Sequence, residues 1–266
     1  MKKEIIFLSI LVILIPLFCL LVLKKQVKEE SSNTYQEFSF YKESNLKRYE
    51  KYYLNNNFSY KDVVLRVNMN LDNSFYTNTK EVTNFSLLML VNKYNYVNNE
   101  FKPDDLVKLE KYAVNNMYLN KTCMEAFLDL ASNALLEGYN IRAISTYRTY
   151  DYQNNLYNNY VKKDGVDKAD TYSARPGFSE HHTGLAIDID NIKTSYVNFE
   201  NTNEFKWMQE NAYKYGFILR YPSDKVDITG YIYEPWHYRY VGIEIAKIIK
   251  ENNITFEEYY YEYLDN

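Results

Sequence analysis

The chain has 266 residues, of which 46% are hydrophobic and 25% charged, a composition typical of a globular protein that can bury a core. The formal net charge is −4, and because residues 1–28 carry five lysines and one glutamate, a net of +4, the remainder carries −8. Such an acidic remainder argues against a nucleic-acid partner, and the single cysteine outside the N-terminal segment, Cys123, excludes an intramolecular disulfide there.

The first predicted element is a membrane helix. Residues 5–23 carry no charge, and nineteen helical residues span about 28 Å, close to the thickness of a bilayer's hydrocarbon core. The stretch is longer than the apolar part of most cleaved signal peptides, and no A-x-A-like cleavage site follows it. We therefore predict a transmembrane signal anchor over residues 1–25. Lysines flank both ends, so the positive-inside rule leaves its orientation open.

Residues 26–60 are polar and charged, and we expect a stalk with some helix between residues 41 and 54. The folded domain is expected over residues 61–266. Its first predicted elements are strands at residues 63–69 and 86–92, and a helix beginning at the Pro-Asp-Asp of residues 103–105.

Clearer patterns follow. Residues 122–137 have apolar side chains at helical spacing, with Gly138 as a cap. Residues 185–190 alternate strictly, so Leu185, Ile187 and Ile189 face one way and Asp188 the other. The remaining expectations are a strand at 141–146 and helices at 152–161, 203–215 and 238–252. Together these elements predict an α+β fold with a small antiparallel sheet flanked by helices.

The candidate chemistry lies in two short segments that hold all three histidines of the chain. His181 lies in a loop just before the strand that carries Asp188, so a loop and the strand it enters can converge on one metal ion. His237 completes a set of two histidines and one carboxylate, and a catalytic zinc site with such ligands keeps one position open. The same set can hold ferrous iron, but the neighbouring Glu234 favours hydrolysis because it supplies a base.

Pro235 biases Glu234 toward an extended conformation, so Glu234 and His237 are not expected to form an ordinary helical pair. A strand end or a turn would place Glu234 beside the metal while leaving its carboxylate free to act as a base.

These segments resemble a known family. The pattern S-x-H-x-x-G-x-A-x-D at residues 179–188, followed by E-P-W-H at 234–237, is similar to the signature of VanY-like D-alanyl-D-alanine carboxypeptidases of the vancomycin-resistance type. These belong to a group of zinc peptidases that includes D-Ala-D-Ala dipeptidases and L,D-carboxypeptidases. Further similar segments lie at residues 90–106, 145–157, 174–184 and 215–222, so the resemblance covers roughly residues 60 to 260.

The resemblance implies a hedgehog/D,D-peptidase-like fold, one zinc ion bound by His181, Asp188 and His237, and Glu234 as the catalytic base. It also places Arg148 in the site, where its guanidinium would stabilise the oxyanion of peptide hydrolysis. The substrate is then a peptidoglycan stem peptide or precursor ending in D-alanine. Its terminal carboxylate would be bound by Ser179 and Gln153, with Arg148 able to share that task.

The chain departs from the family pattern at His182, where glutamine is usual, and we expect this side chain to point away from the metal. The motifs leave three activities open: removal of D-alanine from a D-Ala-D-Ala end, L,D-carboxypeptidase action on tetrapeptide stems, and an inactive wall-binding module. Because the substrate is exposed outside the cytoplasmic membrane, we expect a single-pass protein of the cell membrane with its catalytic domain extracytoplasmic. The oligomeric state is open.

Overall fold

The computed structural model describes residues 34–193 and 195–265, which form two compact units. The first unit comprises the described residues up to Asp72 together with those from Tyr261, and the second comprises Asn73–Tyr260. Within these ranges no helix has both the length and the apolar character needed to cross a membrane. This finding corrects two predictions: the transmembrane helix in the predicted fold, and the placement of the protein in the cell membrane. The stretch on which both predictions rested, residues 5–23, lies outside the described residues.

The first unit contains two helices, α1 (Leu46–Asn55) and α2 (Tyr60–Asn68), so residues expected in a polar stalk are folded here. A 3-10 turn over Glu43–Asn45 runs directly into α1. Tyr49 of α1 is buried, and its hydroxyl donates a 2.7 Å hydrogen bond to the side-chain oxygen of Asn68.

Helix α2 replaces the strand predicted at residues 63–69. The side chain of Ser59 caps it by accepting a hydrogen bond from the backbone nitrogen of Asp62. Val63, Val64 and Val67 are all fully buried. Their β-branched side chains suggested a strand, but burial of the whole apolar run overrides that propensity.

The second unit begins with two short strand pairs. The first pair, β1 (Lys80–Glu81) and β2 (Asn95–Tyr96), is parallel, and the second, β3 (Leu106–Leu109) and β4 (Met117–Asn120), is antiparallel. The strand expected at residues 86–92 and the helix expected from residue 103 are both absent, since the first segment is a turn followed by irregular chain and the second is a turn that leads into β3. Both predictions were therefore wrong.

The middle of the chain follows the predicted order of elements, with one additional helix over Val166–Tyr172 that the sequence did not predict. These are helix α3 (Lys121–Leu136), strand β5 (Arg142–Ser145), helix α4 (Tyr150–Asp164), helix α5 (Val166–Tyr172) and strand β6 (Ala186–Asp190). The predictions of a helix at 122–137, a strand at 141–146 and a strand at 185–190 are confirmed to within two residues at each end.

The last elements are helix α6 (Asn203–Asn211), strand β7 (Phe217–Leu219), helix α7 (Val226–Thr229), strand β8 (His237–Tyr240), helix α8 (Ile243–Asn252) and helix α9 (Phe256–Tyr263). The helix predicted at 238–252 therefore begins five residues late, because residues 237–240 pair as a strand. Gly242, at φ 84°, separates that strand from α8.

Strands β5, β6, β8 and β7 form, in that order, a four-stranded antiparallel sheet. Ile187 and Ile189 on one face of β6, together with Leu185 just before it, pack in a core that also contains Phe127 and Leu130 of α3. Burial of each of these large side chains stabilises the fold by about 1.5–3 kcal/mol. The opposite face of β6 carries Asp188, so the core holds the sheet in a register that fixes the position of this carboxylate.

Candidate metal centre

The register of the sheet aligns three polar residues in one row. Asp188 on β6 lies directly opposite His237 on β8 and also opposite Ser145 on β5. Directly opposed residues in an antiparallel sheet share a face, so the three side chains project from the same side. Two predicted metal ligands are thus brought together by strand pairing.

The predicted ligand atoms converge. Nδ1 of His237 lies 3.1 Å from Oδ1 of Asp188, and Nε2 of His181 lies 3.3 Å from Oδ2 of the same carboxylate. One donor atom from each of the three residues lies within 4.8 Å of the other two, and all three residues are buried. Oδ1 of Asp188 has no hydrogen-bond partner among the described residues. Two imidazole nitrogens and one carboxylate oxygen at this spacing fit a zinc ion with an open coordination position.

His181 reaches the site from a short 3-10 helix, Glu180–Thr183, that precedes β6. The Ser179 hydroxyl caps this helix by accepting a hydrogen bond from the backbone nitrogen of His181. Gly184 ends it in the left-handed conformation, and a Cβ there would lie 3.1 Å from the backbone nitrogen of Asn120. Nδ1 of His181 lies 2.6 Å from the carbonyl oxygen of Thr146, which leaves Nε2 free to bind a metal.

The electrostatics of the cluster suit a cation. Burial and the nearby Arg148 guanidinium lower the pKa of His181 to about 4, so this imidazole is neutral. Burial alone would also lower the pKa of His237, but Asp188 and Glu180 outweigh it and raise that pKa to about 9. The carboxylates thus favour a positive charge at His237, and a divalent metal supplies that charge in place of the proton.

Glu234 lies beside the ligand cluster but outside the ligand set. Its Oε2 is 3.7 Å from Nδ1 of His237, the nitrogen that faces Asp188. The chain between them forms a turn in which the backbone nitrogen of His237 donates to the carbonyl of Glu234, while the nitrogen of Glu234 donates to Tyr221. The pKa of Glu234 is raised to about 8, chiefly by burial. A buried carboxylate next to a metal position is suited to accept a proton.

Arg148 is also in the site, held by three side chains. Its Nη2 donates a 2.7 Å hydrogen bond to Oδ2 of Asp188. Nε and Nη2 both donate to the Ser145 hydroxyl, at 3.0 and 2.7 Å, and Nη1 donates to Oε1 of Gln153 at 3.3 Å. The guanidinium is therefore fixed at the edge of the metal position.

The two residues expected to bind the substrate carboxylate have different environments. Gln153 is 1% exposed, and its amide nitrogen donates to the carbonyl of Ala174 at 2.8 Å while its oxygen accepts from Arg148. Both polar atoms of its amide are thus already bonded, so Gln153 is better placed to hold Arg148 than to donate a hydrogen bond to the substrate's carboxylate. Ser179 lines the cleft, and its hydroxyl proton remains available to a ligand because the backbone bond uses the oxygen as acceptor.

His182 points away from the metal position, as expected. Its Nδ1 lies 2.8 Å from the carbonyl oxygen of Arg148, and its Nε2 accepts a hydrogen bond from the backbone nitrogen of Gly177 at 3.1 Å. Both ring nitrogens are thus bound by backbone groups, and the ring stacks on Tyr150 with an interplanar angle of 17°. A glutamine amide offers the same pairing of one donor and one acceptor.

The three candidate ligands lie in a cleft of about 400 Å³ with aromatic walls. Tyr196 and Trp236 meet edge to face on one side, with centroids 5.0 Å apart. Ser145, Thr146 and Glu180 also contribute to the site but were missed from the sequence. Ser145 was detectable only through strand register, and Thr146 acts through its backbone carbonyl, which no sequence pattern reveals.

Comparisons with known proteins agree with this geometry. Residues 116–243 match the family model VanY, D-alanyl-D-alanine carboxypeptidase. The putative carboxypeptidase YodJ of Bacillus subtilis is 40% identical over 205 residues, which cover 71% of this chain and 75% of that relative.

Two solved structures are similar to this chain. The LD-carboxypeptidase LdcB is 41% identical with a TM-score of 0.65, and the match covers 70% of this chain and 91% of that one. A mutant of the vancomycin-resistance D,D-pentapeptidase VanY in complex with Zn(II) is 36% identical with a TM-score of 0.57, covering 65% of this chain and 97% of that one.

Proposed function

Because the chain belongs to the VanY family of D-alanyl-D-alanine carboxypeptidases, we propose that His181, Asp188 and His237 bind its zinc ion and that Glu234 is its catalytic base. The protein is a zinc-dependent carboxypeptidase that removes C-terminal D-alanine from peptidoglycan stem peptides or their precursors. The observation that supports the residue assignment best is the convergence of three buried donor atoms within 4.8 Å, with Glu234 beside them.

His181, Asp188 and His237 would hold the zinc ion, which would supply the Lewis acidity that activates a water molecule and polarises the scissile carbonyl. Glu234 accepts a proton from the attacking water and later returns it to the leaving amine of D-alanine. Its position beside the metal-facing nitrogen of His237 puts it within reach of both tasks.

Arg148 stabilises the oxyanion that develops when water attacks. A guanidinium held by Ser145, Gln153 and Asp188 needs no reorganisation during the reaction, which is the condition under which electrostatic stabilisation is most effective. The Ser179 hydroxyl donates a hydrogen bond to the substrate's terminal carboxylate. Gln153 contributes to binding this carboxylate indirectly, by fixing Arg148.

Mass spectrometry of defined stem peptides incubated with the zinc-loaded protein tests this function. A pentapeptide ending in D-Ala-D-Ala is expected to lose one alanine, and a Glu234→Gln protein should leave it intact. If neither a pentapeptide nor a tetrapeptide loses alanine, the protein is not a carboxypeptidase of this class.

A second candidate activity is supported by one specific observation. The similarity to LdcB, described as an LD-carboxypeptidase, is higher in both identity and TM-score than the similarity to the VanY pentapeptidase. We therefore propose L,D-carboxypeptidase action on tetrapeptide stems as the alternative. It uses the same metal chemistry and differs only in the residue that precedes the scissile bond, so alanine lost from the tetrapeptide alone would favour it.

A further inference from the structure

Glu180 is a buried carboxylate that the proposed reaction does not use. It lies in the 3-10 helix between Ser179 and His181 and is 1% exposed. One of its oxygens, Oε1, accepts hydrogen bonds from Nε of Arg220 at 2.8 Å and from Nη1 of Arg239 at 3.1 Å. The other oxygen, Oε2, is buried and has no hydrogen-bond partner among the described residues.

The free oxygen of Glu180 faces a metal ligand. Oε2 lies 3.6 Å from Nε2 of His237, which is equally buried and likewise has no partner in the described part of the chain. Two complementary atoms that are both unpaired and both buried are costly, since each unsatisfied group costs about 1–3 kcal/mol. A closure of a few tenths of an ångström would turn this contact into a hydrogen bond.

Metal binding determines where the imidazole proton of His237 must reside. Nδ1 of His237 faces Asp188 and the metal position, so a bound metal occupies that nitrogen and the proton lies on Nε2. The N–H then points at Glu180. A carboxylate that accepts this bond fixes the plane of the ring and makes the imidazole a stronger ligand.

The carboxylate itself is held rigidly by charges from distant parts of the fold. Arg220 donates its two terminal nitrogens to Glu257 of α9, at 2.8 and 2.5 Å. Arg239 donates to the carbonyl oxygens of Leu87 and Met89. Glu180 therefore cannot rotate away from His237 without breaking both of its arginine contacts.

We propose that Glu180 is a positioning residue for zinc, which acts through His237 by accepting the Nε2 hydrogen of that ligand. The inference rests on the proposed function, because it requires His237 to bind the metal through Nδ1. It assigns the buried carboxylate of Glu180, which Arg220 and Arg239 hold in place, a role in metal affinity in addition to folding.

The ion network around Arg220 supplies a matched control. Glu257 is 2% exposed, pairs with Arg220 and accepts a hydrogen bond from the Asn92 side chain. Among the described residues no hydrogen bond or ion pair joins it to His237. Glu180→Gln and Glu257→Gln therefore remove the same charge from the same network, and only the first change alters the contact to the ligand.

The test is zinc affinity, measured by competition with a chromophoric chelator, together with the melting temperature of each metal-free protein. Glu180→Gln is expected to lower the zinc affinity about 10–100-fold, because this is the usual effect of removing a group that hydrogen-bonds a metal-binding histidine. Glu257→Gln should lower the melting temperature but leave zinc affinity unchanged. Equal losses of affinity in both variants, or none in Glu180→Gln, would overturn the proposal.

A measurement on the unaltered chain decides the question if Glu180→Gln does not fold. In the zinc-loaded protein labelled with ¹⁵N-histidine, the Nε2 hydrogen of His237 should be hydrogen-bonded and protected from exchange with solvent. An unprotected Nε2 hydrogen, or metal bound at Nε2, would overturn the proposal. Failure of the unaltered protein to bind zinc would instead contradict the ligand assignment on which the proposal rests.

Discussion

Asp188 and His237 are direct partners on adjacent antiparallel strands, with Oδ1 and Nδ1 3.1 Å apart although 49 positions separate them in the chain. A slip of one residue in the pairing of β6 and β8 would turn one of the two side chains toward the core. The metal site therefore forms only when the sheet has its native register, which the packing of Leu185, Ile187 and Ile189 enforces.

Replacing Glu234 should separate catalysis from metal binding. Because Glu234 is the base and not a ligand, Glu234→Gln is expected to lower kcat by about 10²–10⁴-fold. Zinc content, measured by atomic absorption, should stay at one ion per chain. Glu210→Gln, which changes an exposed glutamate, is the control and should leave both quantities unchanged. Activity retained in Glu234→Gln would remove Glu234 from the mechanism.

Arg148 should act mainly on kcat. Lysine keeps the charge but cannot make the four hydrogen bonds that Arg148 gives to Ser145, Gln153 and Asp188, so Arg148→Lys is expected to lower kcat by about 10²–10³-fold. Ser145→Ala, which loosens the guanidinium without removing it, should cause a smaller loss. Steady-state kinetics in which only KM rises would assign Arg148 to substrate binding alone.

His182 should tolerate one substitution and not another. Its ring bonds the carbonyl of Arg148 and the nitrogen of Gly177, and a glutamine amide can make both bonds. His182→Gln is therefore expected to keep activity and stability near the starting values. His182→Leu leaves the buried nitrogen of Gly177 and the partly buried carbonyl of Arg148 unpaired, and each buried group left unpaired costs about 1–3 kcal/mol in unfolding free energy. Denaturant unfolding measures this difference, and equal stabilities would contradict the assigned role.

Removal of the metal should lower the melting temperature. A ligand present at a thousand times its dissociation constant stabilises the folded state by about 4 kcal/mol. Calorimetry with and without a chelator is expected to show this shift. In His237→Ala the shift should be largely lost, whereas an unchanged shift in that variant would place the stabilising metal elsewhere.

The sequence predicted the elements whose apolar patterns are regular. The alternation at residues 185–190 identified both the strand and the face that carries Asp188, and the helical spacing at 122–137 identified α3. Residues 63–69 were misassigned because their apolar run is buried on several sides of a helix, and such a run has no clear period. The start of α8 was misplaced because the pairing of residues 237–240 with β6 and β7 is a tertiary effect.

The sequence predicted those site residues whose type and spacing indicate a chemical role. Three scarce histidines next to carboxylates pointed to the ligand set, and Pro235 pointed to the turn that places Glu234. The contacts of Glu180 and Ser145 depend on strand register and on arginines far along the chain, so no local pattern predicts them. Gln153 shows the same limit, because its support of Arg148 depends on the loop at Ala174.

The most direct test of the account is the anomalous scattering of crystals of the zinc-loaded protein, measured on both sides of the zinc absorption edge. We expect one peak about 2.0–2.2 Å from Nε2 of His181, a carboxylate oxygen of Asp188 and Nδ1 of His237. Glu234 should lie beside the peak without binding it. A peak elsewhere in the chain, or no peak at this cluster, would contradict the central claim that these three residues hold the catalytic zinc.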